Sequence, residues 1–451
     1  MSDVGERALV IGLGKSGLAV CEVLRERGWE VLATDEFPER ATNAIAHVAS
    51  LGVAFVPTDK LQKALLGSEV AVLSPGIPPS ARPVSIAWAM GCTVIGEAEI
   101  AWRFATAPIL AVTGTKGKST TSALLAHLLR AAGKKTALGG NIGDPLIREV
   151  LPEGLDAIVA ELSSFQLESI SRFRARVAVL LNISADHLDR YGSMDEYASA
   201  KYRIVENSQS EDTLVANRDD DRVWCFARNS AAKISVIDYS LVDPAARIAA
   251  IDDKIVDTRA GKDLAKFSDV PLLGRHNLAN TMAALGAALA FGVDPQHFPA
   301  ALRSFTGMAH RLQLVAEIGG VRYVDDSKAT NPEATIAALE SFSQPIVAIV
   351  GGRAKGTEFS ALGDALAKHA RAVLTIGEAA EELRSALAGR VPSERPSTMA
   401  EAVVRASELA HEGDVVLLSP ACASFDMFRS AEHRGEEFAT AVRALEGGSR
   451  A

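Results

Sequence analysis

The chain alternates short apolar runs with amphipathic stretches that are rich in Ala and Leu. Strands buried on both faces of a parallel sheet have continuous apolar runs, whereas helices that cover a sheet repeat their apolar positions with the helical period. Each apolar run here is followed by a turn or a helical stretch, as in strand-helix-strand units. The pattern therefore predicts the α/β fold class.

Three successive series of strands indicate three tandem domains. The first series contains RALVIG, WEVLATD, EVAVLSPG and CTVIG, the second ILAVT, DAIVAELSS and RVAVLLNIS, and the third RYVDDSK, PIVAIVGG, AVLTIG and DVVLLSP. We expect the domains to comprise residues 1–105, 106–307 and 308–451. Between Asp212 and Val270 shorter alternating segments predict an antiparallel excursion of the second domain.

Length and composition are those of an ordinary globular protein. The 451 residues suggest about three domains of roughly 150 residues each. A net charge of -9 argues against nucleic-acid binding, which calls for an excess of Lys and Arg. The 4 cysteines form no CxxC pair, so neither a disulfide framework nor a thiolate metal site is predicted. Without a leader pattern or an apolar run of ~20 residues, we expect a cytoplasmic protein with no membrane insertion.

The strongest motif is GTKGKST at residues 114–120, between the apolar strand ILAVT and a helix. Backbone amides at such a helix start point towards an anion, Lys118 adds positive charge, and Ser119 offers a hydroxyl to Mg²⁺. The spacing differs from a standard P-loop, because Val112 stands where a first glycine is usual. A purely structural glycine turn is the alternative, and the Lys-Ser-Thr context favours a phosphate site.

A second glycine motif, GLGKSG at residues 12–17, also follows a strand and opens a helix. Asp35 ends the next strand, at the distance where a dinucleotide fingerprint has its acidic residue. Such a turn is compatible with NAD, with the diphosphate of another nucleotide, or with no ligand. The motif alone leaves these three alternatives open.

Ionisable residues follow two strands of the second domain. Glu161 ends DAIVAE and is a candidate Mg²⁺ ligand, with a capping or surface glutamate as the alternative, because ligands gather at the carboxyl ends of parallel strands. His187 follows RVAVLLNIS and is a candidate metal ligand or proton-handling group, although a lone histidine is usually structural. By default we interpret Lys201 as a solvated lysine on a helix.

In the third domain, DDSKATN and Lys355 follow two strands and are either substrate-binding segments or plain loops. SPACASFD follows DVVLL and is similar to a nucleophile turn, but it lacks the GxSxG pattern. We therefore interpret it as a substrate-binding segment and Cys422 as a packing residue.

The motifs GTKGKST, ELSSFQLE, DHLDRYGSMDEYASAK, GRHNLAN, HRLQ, DDSKATN and SPACASFD occur in this order. With them the chain resembles the Mur ligases over essentially its whole length. ELSSFQLE, DDSKATN and SPACASFD single out the branch that adds D-glutamate, whereas the phosphate loop alone would also fit folylpolyglutamate synthetase. The resemblance implies a Rossmann-like N-terminal domain for the UDP substrate, a central P-loop ATPase domain and a Rossmann-like C-terminal domain.

The resemblance also implies roles for individual residues. The UDP-substrate positions are Gly14, Lys15, Ser16, Gly17, Asp35, Ser74, Pro75, Gly76 and Asn141. The ATP positions are Gly114, Thr115, Lys116, Gly117, Lys118, Ser119, Thr120, Asn277, Asn280, Arg311, Asp326 and Lys328. The metal positions are Ser119, Glu161, His187 and Lys201, and the catalytic positions are Lys118, Glu161, His187, Lys201 and Lys328. The D-glutamate positions are Thr330, Lys355, Ser424 and Phe425.

The implied reaction joins D-glutamate to UDP-N-acetylmuramoyl-L-alanine with ATP and two Mg²⁺ ions, through an acyl phosphate and a tetrahedral intermediate. In such enzymes the lysine at the position of Lys201 is carbamylated, and we expect the same modification here. We expect the protein to be a monomer. The ATP loop and DDSKATN lie in different domains, so we also expect closure on ligand binding. Two residues depart from the family pattern: Lys116, where Asn is common, and Ala431, where an aromatic residue is common in the wall of the glutamate pocket.

Three other functions compete with this interpretation. The nearest is another Mur-type or folylpolyglutamate amide ligase. A nicotinamide-dependent oxidoreductase would use the first glycine motif but leaves GTKGKST without a role. A non-catalytic nucleotide-sensing module would bind ATP without turning it over.

Overall fold

The chain folds around three separate β-sheets with helices packed on them, which confirms the predicted α/β class. The computed structural model describes residues 7–65, 70–187, 190–272, 274–354 and 358–448. Two compact units are present: Met1–Val270 with Ala279–Ser304 contains the first two sheets, and Pro271–Leu278 with Phe305–Ala451 contains the third.

The first sheet has five parallel strands in the order β3-β2-β1-β4-β5. They are β1 (Arg7–Ile11), β2 (Glu30–Thr34), β3 (Ala54–Phe55), β4 (Val70–Leu73) and β5 (Thr93–Gly96). The helices are α1 (Lys15–Glu26), α2 (Thr42–Ser50), α3 (Leu61–Ala64), α4 (Arg82–Ala89) and α5 (Glu97–Phe104). The strand order reverses between β1 and β4, and open α/β sheets bind ligands at such a switch point.

The second sheet has nine strands in the order β14-β13-β12-β11-β10-β9-β6-β8-β7. They are β6 (Ile109–Thr113), β7 (Thr136–Gly140), β8 (Ala157–Glu161), β9 (Val177–Leu180), β10 (Thr213–Asn217), β11 (Ser235–Ser240), β12 (Ile248–Ile251), β13 (Lys254–Asp257) and β14 (Lys262–Lys266). The helices are α6 (Lys118–Ala131), α7 (Leu146–Glu149), α8 (Ser164–Glu168), α9 (Met194–Tyr202), α10 (Asp221–Ser230), α11 (Arg275–Ala290) and α12 (Phe298–Ser304).

The antiparallel excursion is shorter than the sequence pattern indicated. Strands β10 and β11 extend the parallel sheet, with α10 between them in the chain, and β12 is also parallel to β11. Antiparallel pairing joins only β12 to β13 and β13 to β14. The prediction was wrong for the first part of the segment. Polar residues interrupt the apolar runs of β10 and β11, so these strands did not resemble the continuous apolar strands of a buried parallel sheet.

The third sheet has six strands in the order β15-β16-β20-β17-β18-β19, and only β15 is antiparallel to its neighbour. They are β15 (Gln313–Ile318), β16 (Val321–Asp325), β17 (Ile346–Gly351), β18 (Ala370–Ile376), β19 (Ser393–Glu394) and β20 (Val415–Leu418). The helices are α13 (Pro332–Glu340), α14 (Ser360–His369), α15 (Ala380–Leu387), α16 (Met399–Leu409) and α17 (Ala431–Gly448). DDSKATN and SPACASFD follow the neighbouring strands β16 and β20, so both segments lie at one edge of this sheet.

Burial explains why the central strands have continuous apolar sequences. Every residue of β6 and of β17 is buried, as expected for strands covered on both faces. Of the helices in the described ranges, none is long and apolar enough to cross a membrane.

Candidate active site

The phosphate loop connects β6 to α6 at the carboxyl edge of the second sheet. Gly117 precedes the helix with a left-handed backbone at φ 84°, a conformation that glycine adopts most readily. A Cβ atom at this position would lie 2.3 Å from Oδ1 of Asn280 in α11. Glycine is therefore required here both by the backbone angle and by the close approach of the neighbouring helix.

Asn182, which follows β9, holds the middle of the phosphate loop. Its carbonyl oxygen accepts a hydrogen bond from the Thr115 amide at 2.9 Å, and its Oδ1 accepts one from the Lys116 amide at 2.8 Å. Its Nδ2 donates to the Lys116 carbonyl at 2.9 Å. Because three hydrogen bonds fix two successive residues, the loop backbone is held in one conformation.

Two lysines meet at the carbonyl oxygen of Gly114. Lys118 donates to it at 3.0 Å and to the Thr115 carbonyl at 2.8 Å, while Lys201 of α9 donates to it at 2.8 Å. Lys201 is 1% exposed and lies over the Tyr197 ring, 4.6 Å from its centroid. Burial and the charge of Lys118 lower the pKa of Lys201 to about 7. The default interpretation of Lys201 as a solvated surface lysine is therefore wrong.

Glu161 ends β8 and is also buried, at 1% exposure. Its Oε1 accepts a hydrogen bond from Nδ2 of Asn141 at 2.7 Å, and the Asn141 amide donates to the Glu161 carbonyl at 2.9 Å. Its Oε2 is buried and has no hydrogen-bond partner among the residues that the structure describes. The alternative of a capping or surface glutamate is therefore wrong, and one carboxylate oxygen remains available to a further donor or cation.

His187 follows β9 at φ 53° and has a half-exposed side chain. Its ring lies 4.8 Å from the Phe165 ring and 6.4 Å from the Tyr197 ring, between centroids, and its Nε2 lies 3.7 Å from Oδ2 of Asp186. These contacts join His187 to neither Glu161 nor Lys201. Ser119 and Thr120 are half-buried in the first turn of α6.

The first glycine loop has the close packing of a Rossmann-like turn. A Cβ on Gly17 would lie 1.9 Å from the Gly12 carbonyl oxygen, so helix α1 approaches β1 as only glycine permits. Asp35 accepts hydrogen bonds from the amides of Leu13 and Phe37 at 2.8 and 2.9 Å. The Ser74 hydroxyl, after β4, donates to the Gly12 carbonyl at 2.8 Å.

The remaining predicted residues of this loop lie at the surface. Gly14 and Gly76 are exposed, whereas Ser16 and Pro75 are half-buried. Lys15 extends from the loop to the segment that contains Asn141, where its Nζ donates to the Gly143 carbonyl at 2.6 Å and lies 3.2 Å from Oδ1 of Asp144. The structure thus brings the first glycine loop together with the segment that holds Glu161.

In the second unit, Asp326 follows β16 and is 8% exposed. Its Oδ2 accepts a hydrogen bond from the Ser419 hydroxyl at 2.9 Å, and its Oδ1 accepts one from the Leu312 amide at 3.2 Å. Burial raises the pKa of Asp326 to about 7, against the opposing effects of the Ser419 hydrogen bond and the positive charge of Arg311. DDSKATN and SPACASFD are therefore in direct contact.

Lys328 forms an ion pair with Glu432 at the start of α17, and its amide donates to the His310 carbonyl at 3.1 Å. The ion pair lowers the pKa of Glu432 to about 2. His310 in turn lies 2.7 Å from Asp325, between Nδ1 and Oδ2. Lys328 is thus held between two segments of the second unit.

The predicted D-glutamate residues differ in exposure. Thr330 is half-buried, Ser424 is 2% exposed and Phe425 is 67% exposed, while Lys355 lies outside the described residues. Arg311 is exposed, and Asn277 and Asn280 are each 6% exposed. Buried Cys422 accepts a hydrogen bond from Arg434 through its carbonyl oxygen at 3.1 Å, which agrees with a packing role.

Sequence patterns did not identify several residues that shape the site. Asn182 and Tyr197 lie in segments of the quoted motifs or beside them, but their side chains contact residues that are 66 and 82 positions away. Arg434 is fully buried and donates to the Ser327 hydroxyl at 2.9 Å and to its carbonyl at 2.8 Å. A lone arginine in a helix gave no signal of this role.

The glycine loop lies at the carboxyl edge of a parallel sheet, with half-buried Lys118, buried Lys201 and the buried carboxylate of Glu161 in the same domain. These features define an α/β nucleotide-binding protein. Three family descriptions match the chain: "Mur ligase MurD-like, N-terminal domain" at residues 6–96, "Mur ligase middle domain" at 112–288 and "Mur ligase, glutamate ligase domain" at 310–422. The chain belongs to the Mur ligase family, which confirms the resemblance of its motifs.

Full-length relatives are closely similar. Proteins named UDP-N-acetylmuramoylalanine--D-glutamate ligase from Geotalea uraniireducens and Caldanaerobacter subterraneus are 41% and 40% identical. The matches cover 100% of this chain and of the first relative, and 98% of this chain and of the second. A protein of the same name from Myxococcus xanthus is 42% identical over 98% of this chain and 99% of its own.

Solved structures share the fold at lower identity. UDP-N-acetylmuramate-alanine ligase from Thermotoga maritima has a TM-score of 0.61 at 19% identity, covering 97% of this chain and 99% of that chain. MurF from Acinetobacter baumannii has a TM-score of 0.62 at 18% identity, covering 89% and 88%. These likenesses concern the fold alone.

Proposed function

We propose that this chain joins D-glutamate to UDP-N-acetylmuramoyl-L-alanine and cleaves ATP to ADP and phosphate, a step in the synthesis of peptidoglycan precursors. The relatives that match over the full length carry this activity in their names. The observation that carries the proposal is the meeting of Lys118 and buried Lys201 at the phosphate loop. The same unit also contains a second glycine loop suited to a diphosphate.

ATP activates the substrate carboxylate, which is a poor acyl donor because of its charge and its leaving group. The γ-phosphoryl group passes to the carboxylate of the alanyl residue, and the resulting acyl phosphate is attacked by the amine of D-glutamate. The tetrahedral intermediate then loses phosphate to leave the amide. Lys118 and the amides of residues 114–120 stabilise the negative charge during transfer. Asn280, Asn277, Arg311, Asp326 and Lys328 complete the proposed ATP and catalytic positions.

Mur ligases use ATP with Mg²⁺, and the buried oxygen of Glu161 that has no described partner fits a cation. We assign the metal to Glu161, Ser119, His187 and Lys201, with two ions in total. Within the described ranges, no three His, Cys, Asp or Glu side chains form a group that could hold a metal ion, so these assignments depend on the hydroxyl of Ser119 and on a modified Lys201. When bound, Mg²⁺ neutralises phosphate charge and orients the transferring group.

Carbamylation of Lys201 would supply the missing anionic ligand. The neutral amine attacks CO₂, a new N–C bond forms, one C–O π bond becomes the carbamate anion, and the nitrogen releases a proton to solvent. A pKa of about 7 leaves a large neutral fraction of Lys201 near neutral pH, as this reaction requires. Intact-mass measurement in bicarbonate buffer should detect the adduct in the wild type and not in Lys201→Met. Its absence from the wild type, or its presence in Lys201→Met, would contradict the assignment.

The first glycine loop, Asp35 and the turn of residues 74–76 hold the uridine diphosphate part in this proposal, with Asn141 lining the same site. D-Glutamate binds through Thr330, Lys355, Ser424 and Phe425, where hydroxyl and cationic groups suit two carboxylates. The domains comprise residues 1–105, 106–307 and 308–451. The protein acts in the cytoplasm as a monomer on these small molecules.

Product analysis tests the proposal directly. Incubation with UDP-N-acetylmuramoyl-L-alanine, D-glutamate and Mg-ATP should produce one amide, ADP and phosphate in equal amounts, as measured by mass spectrometry and a phosphate assay. Lys118→Ala should lower the rate by about a hundredfold or more, because it removes charge from the transferring phosphoryl group. A variant at the exposed Lys254, Lys254→Ala, serves as the control and should retain the wild-type rate. Full ligation by Lys118→Ala would contradict the proposal.

A further inference from the structure

A cavity of about 590 Å³ lies at the amino edge of the second sheet. Ile109, the first residue of β6, is part of its wall, and the phosphate loop follows the last residue of the same strand. At 3.3 Å per residue, the two ends of β6 are roughly 13 Å apart. The cavity is therefore separate from the nucleotide position, and its volume is within the usual range for small-molecule sites.

One wall of the cavity is apolar. It consists of the half-buried Trp102 near the end of α5, together with Ala107, Pro108 and Ile109 in the segment that leads into β6. A flat apolar group can pack against an indole ring with little loss of conformational freedom. This wall is suited to an aromatic or similarly flat apolar body.

Arginines form the rest of the lining. Arg172, Arg174 and Arg176 alternate with the buried residues Phe173 and Ala175, so the three guanidinium groups lie on one side of this segment. Arg103 of α5 adds a fourth guanidinium group to the lining. Asp212 is the one carboxylate among the described lining residues, and Glu99 and Glu211 also pair with Arg103 and Arg174. Four arginines therefore meet three carboxylates, which leaves a small excess of positive charge.

Buried carboxylates fix the positions of two of these arginines. Asp212, at 1% exposure, accepts hydrogen bonds from Nε of Arg174 at 2.6 Å and from its terminal nitrogen at 2.9 Å. Glu99, at 0% exposure, accepts one from Nε of Arg103 at 3.0 Å. Its other oxygen accepts the amides of residues 171–173 at 2.8 to 2.9 Å. Side chains held in this way lose little entropy when a ligand binds.

Arg172 differs from its neighbours. Its side chain is exposed at the cavity, and no carboxylate of the described residues forms an ion pair with it. A guanidinium group binds a carboxylate through two parallel hydrogen bonds, and an ion pair of this kind gives both affinity and orientation. Arg172 is therefore available to bind an anion, whereas Arg103, Arg174 and Arg176 are held by hydrogen bonds within the protein.

We propose that this cavity binds a small organic anion with a flat apolar body, whose carboxylate pairs with Arg172 and whose body packs on Trp102. The site is distinct from the ATP and UDP-substrate positions, and its ligand links α5 to the segment before β9. Because the ligand does not share the phosphate loop, its binding is independent of Mg-ATP.

Isothermal titration calorimetry of the full chain with 2-naphthoate tests the proposal. We expect saturable binding to the wild type, binding weaker by about tenfold or more in Arg172→Met because the paired charge is lost, and similarly weak binding of the neutral 2-naphthalenemethanol. Arg228→Met, at an exposed arginine of α10 outside the cavity, is the matched control and should bind as the wild type does.

The same titration in the presence of saturating Mg-ATP should give an unchanged affinity. Absence of binding up to about 10 mM, equal affinity in Arg172→Met and Arg228→Met, or displacement of 2-naphthoate by Mg-ATP would each overturn the proposal. Thermal melting of both variants without ligand verifies that they are folded. These readouts do not depend on ligase activity.

Discussion

Lys201 combines burial with a nearby cation, and this combination has a consequence for stability. Its pKa is about 7 in the folded chain and about 10.4 in an unfolded one, so the unfolded state binds more protons between these values. Stability that depends on Lys201 therefore increases as pH rises through this range and is lost as pH falls through about 7.

We predict that wild type gains stability relative to Lys201→Met when pH is raised from about 6 to about 9, by at most about 1.4 kcal/mol per pH unit. The measurement is denaturant unfolding in buffers depleted of CO₂, with exposed Lys254→Met as the control. Parallel pH profiles for wild type and Lys201→Met would contradict the shifted pKa.

Asp326 should show the opposite pH dependence. Its pKa is about 7 in the folded state and near 3.9 when unfolded, so the folded state binds more protons between these values and stability falls as pH rises. We expect Asp326→Asn to gain thermal stability relative to wild type between about pH 4 and about pH 7. Asp364→Asn, at an exposed carboxylate in the same unit, should show no such gain. A constant difference between Asp326→Asn and wild type would contradict the account.

At the residue scale, sequence patterns identified Lys118 because it follows an apolar strand and a glycine turn, and Glu161 because it ends an apolar strand. They did not identify Asn182 as the residue that holds the loop, because its partner is 66 positions away. The burial of Lys201 could not be predicted either, because α9 lacks a strong apolar face that would indicate which of its side chains are buried. Residue types and local spacing predict chemistry, but desolvation depends on contacts that only the fold creates.

At the scale of elements, the junction between β6 and α6 allows a test of backbone geometry. Gly117→Ala should weaken Mg-ATP binding by about tenfold or more, because its Cβ would meet Asn280 and displace the loop. Gly133→Ala, at the other end of α6, is a matched control with φ 79° but open space around its Cβ. It should lower stability by about 1 kcal/mol and leave the affinity for ATP unchanged. Equal ATP affinities in the two variants would contradict the role of this close approach.

The contact between the two glycine-rich segments gives a second test. Asp144 lies beside Lys15, so its charge opposes an anion at the first loop and competes for the lysine. We predict that Asp144→Asn binds UDP-N-acetylmuramoyl-L-alanine about twofold to fivefold more tightly at low salt, and that the gain disappears at high salt. Asp263→Asn, in another exposed Lys-Asp pair, should change nothing. Weaker or salt-independent binding by Asp144→Asn would contradict the prediction.

At this scale the sequence predicts long apolar strands and the helices that follow them. Examples are β17 and the pair of β6 and α6. The two-residue strands β3 and β19 were not, since so few residues carry no detectable period. The hairpin of β15 with β16 was missed for another reason: β15 is only partly buried, and its side chains lack the alternation that marks a half-buried strand.

At the scale of the whole molecule, the two substrates are assigned to different units, and hydrogen exchange can separate them. UDP-N-acetylmuramoyl-L-alanine alone should slow exchange in peptides that contain residues 12–17, 35–37 and 74–77. D-Glutamate, added with both other substrates, should slow exchange around residues 327–331 and 422–426. Protection by the UDP substrate confined to the third sheet would contradict the assignment.

The α/β class and three sheets followed from the sequence because apolar runs report burial on both faces. The order of strands within each sheet did not, since pairing depends on contacts between distant segments. Family membership rests on full-length similarity, whereas the roles of single residues are proposals that rest on the motifs and, for some residues, on the contacts described above.

The most direct measurement compares amino acids as acceptors of the activated carboxylate. Phosphate release from Mg-ATP with UDP-N-acetylmuramoyl-L-alanine should be rapid with D-glutamate and near background with L-glutamate, L-lysine or meso-diaminopimelate. Preference for any of the other three, or no dependence on an amino acid at all, would contradict the proposed reaction.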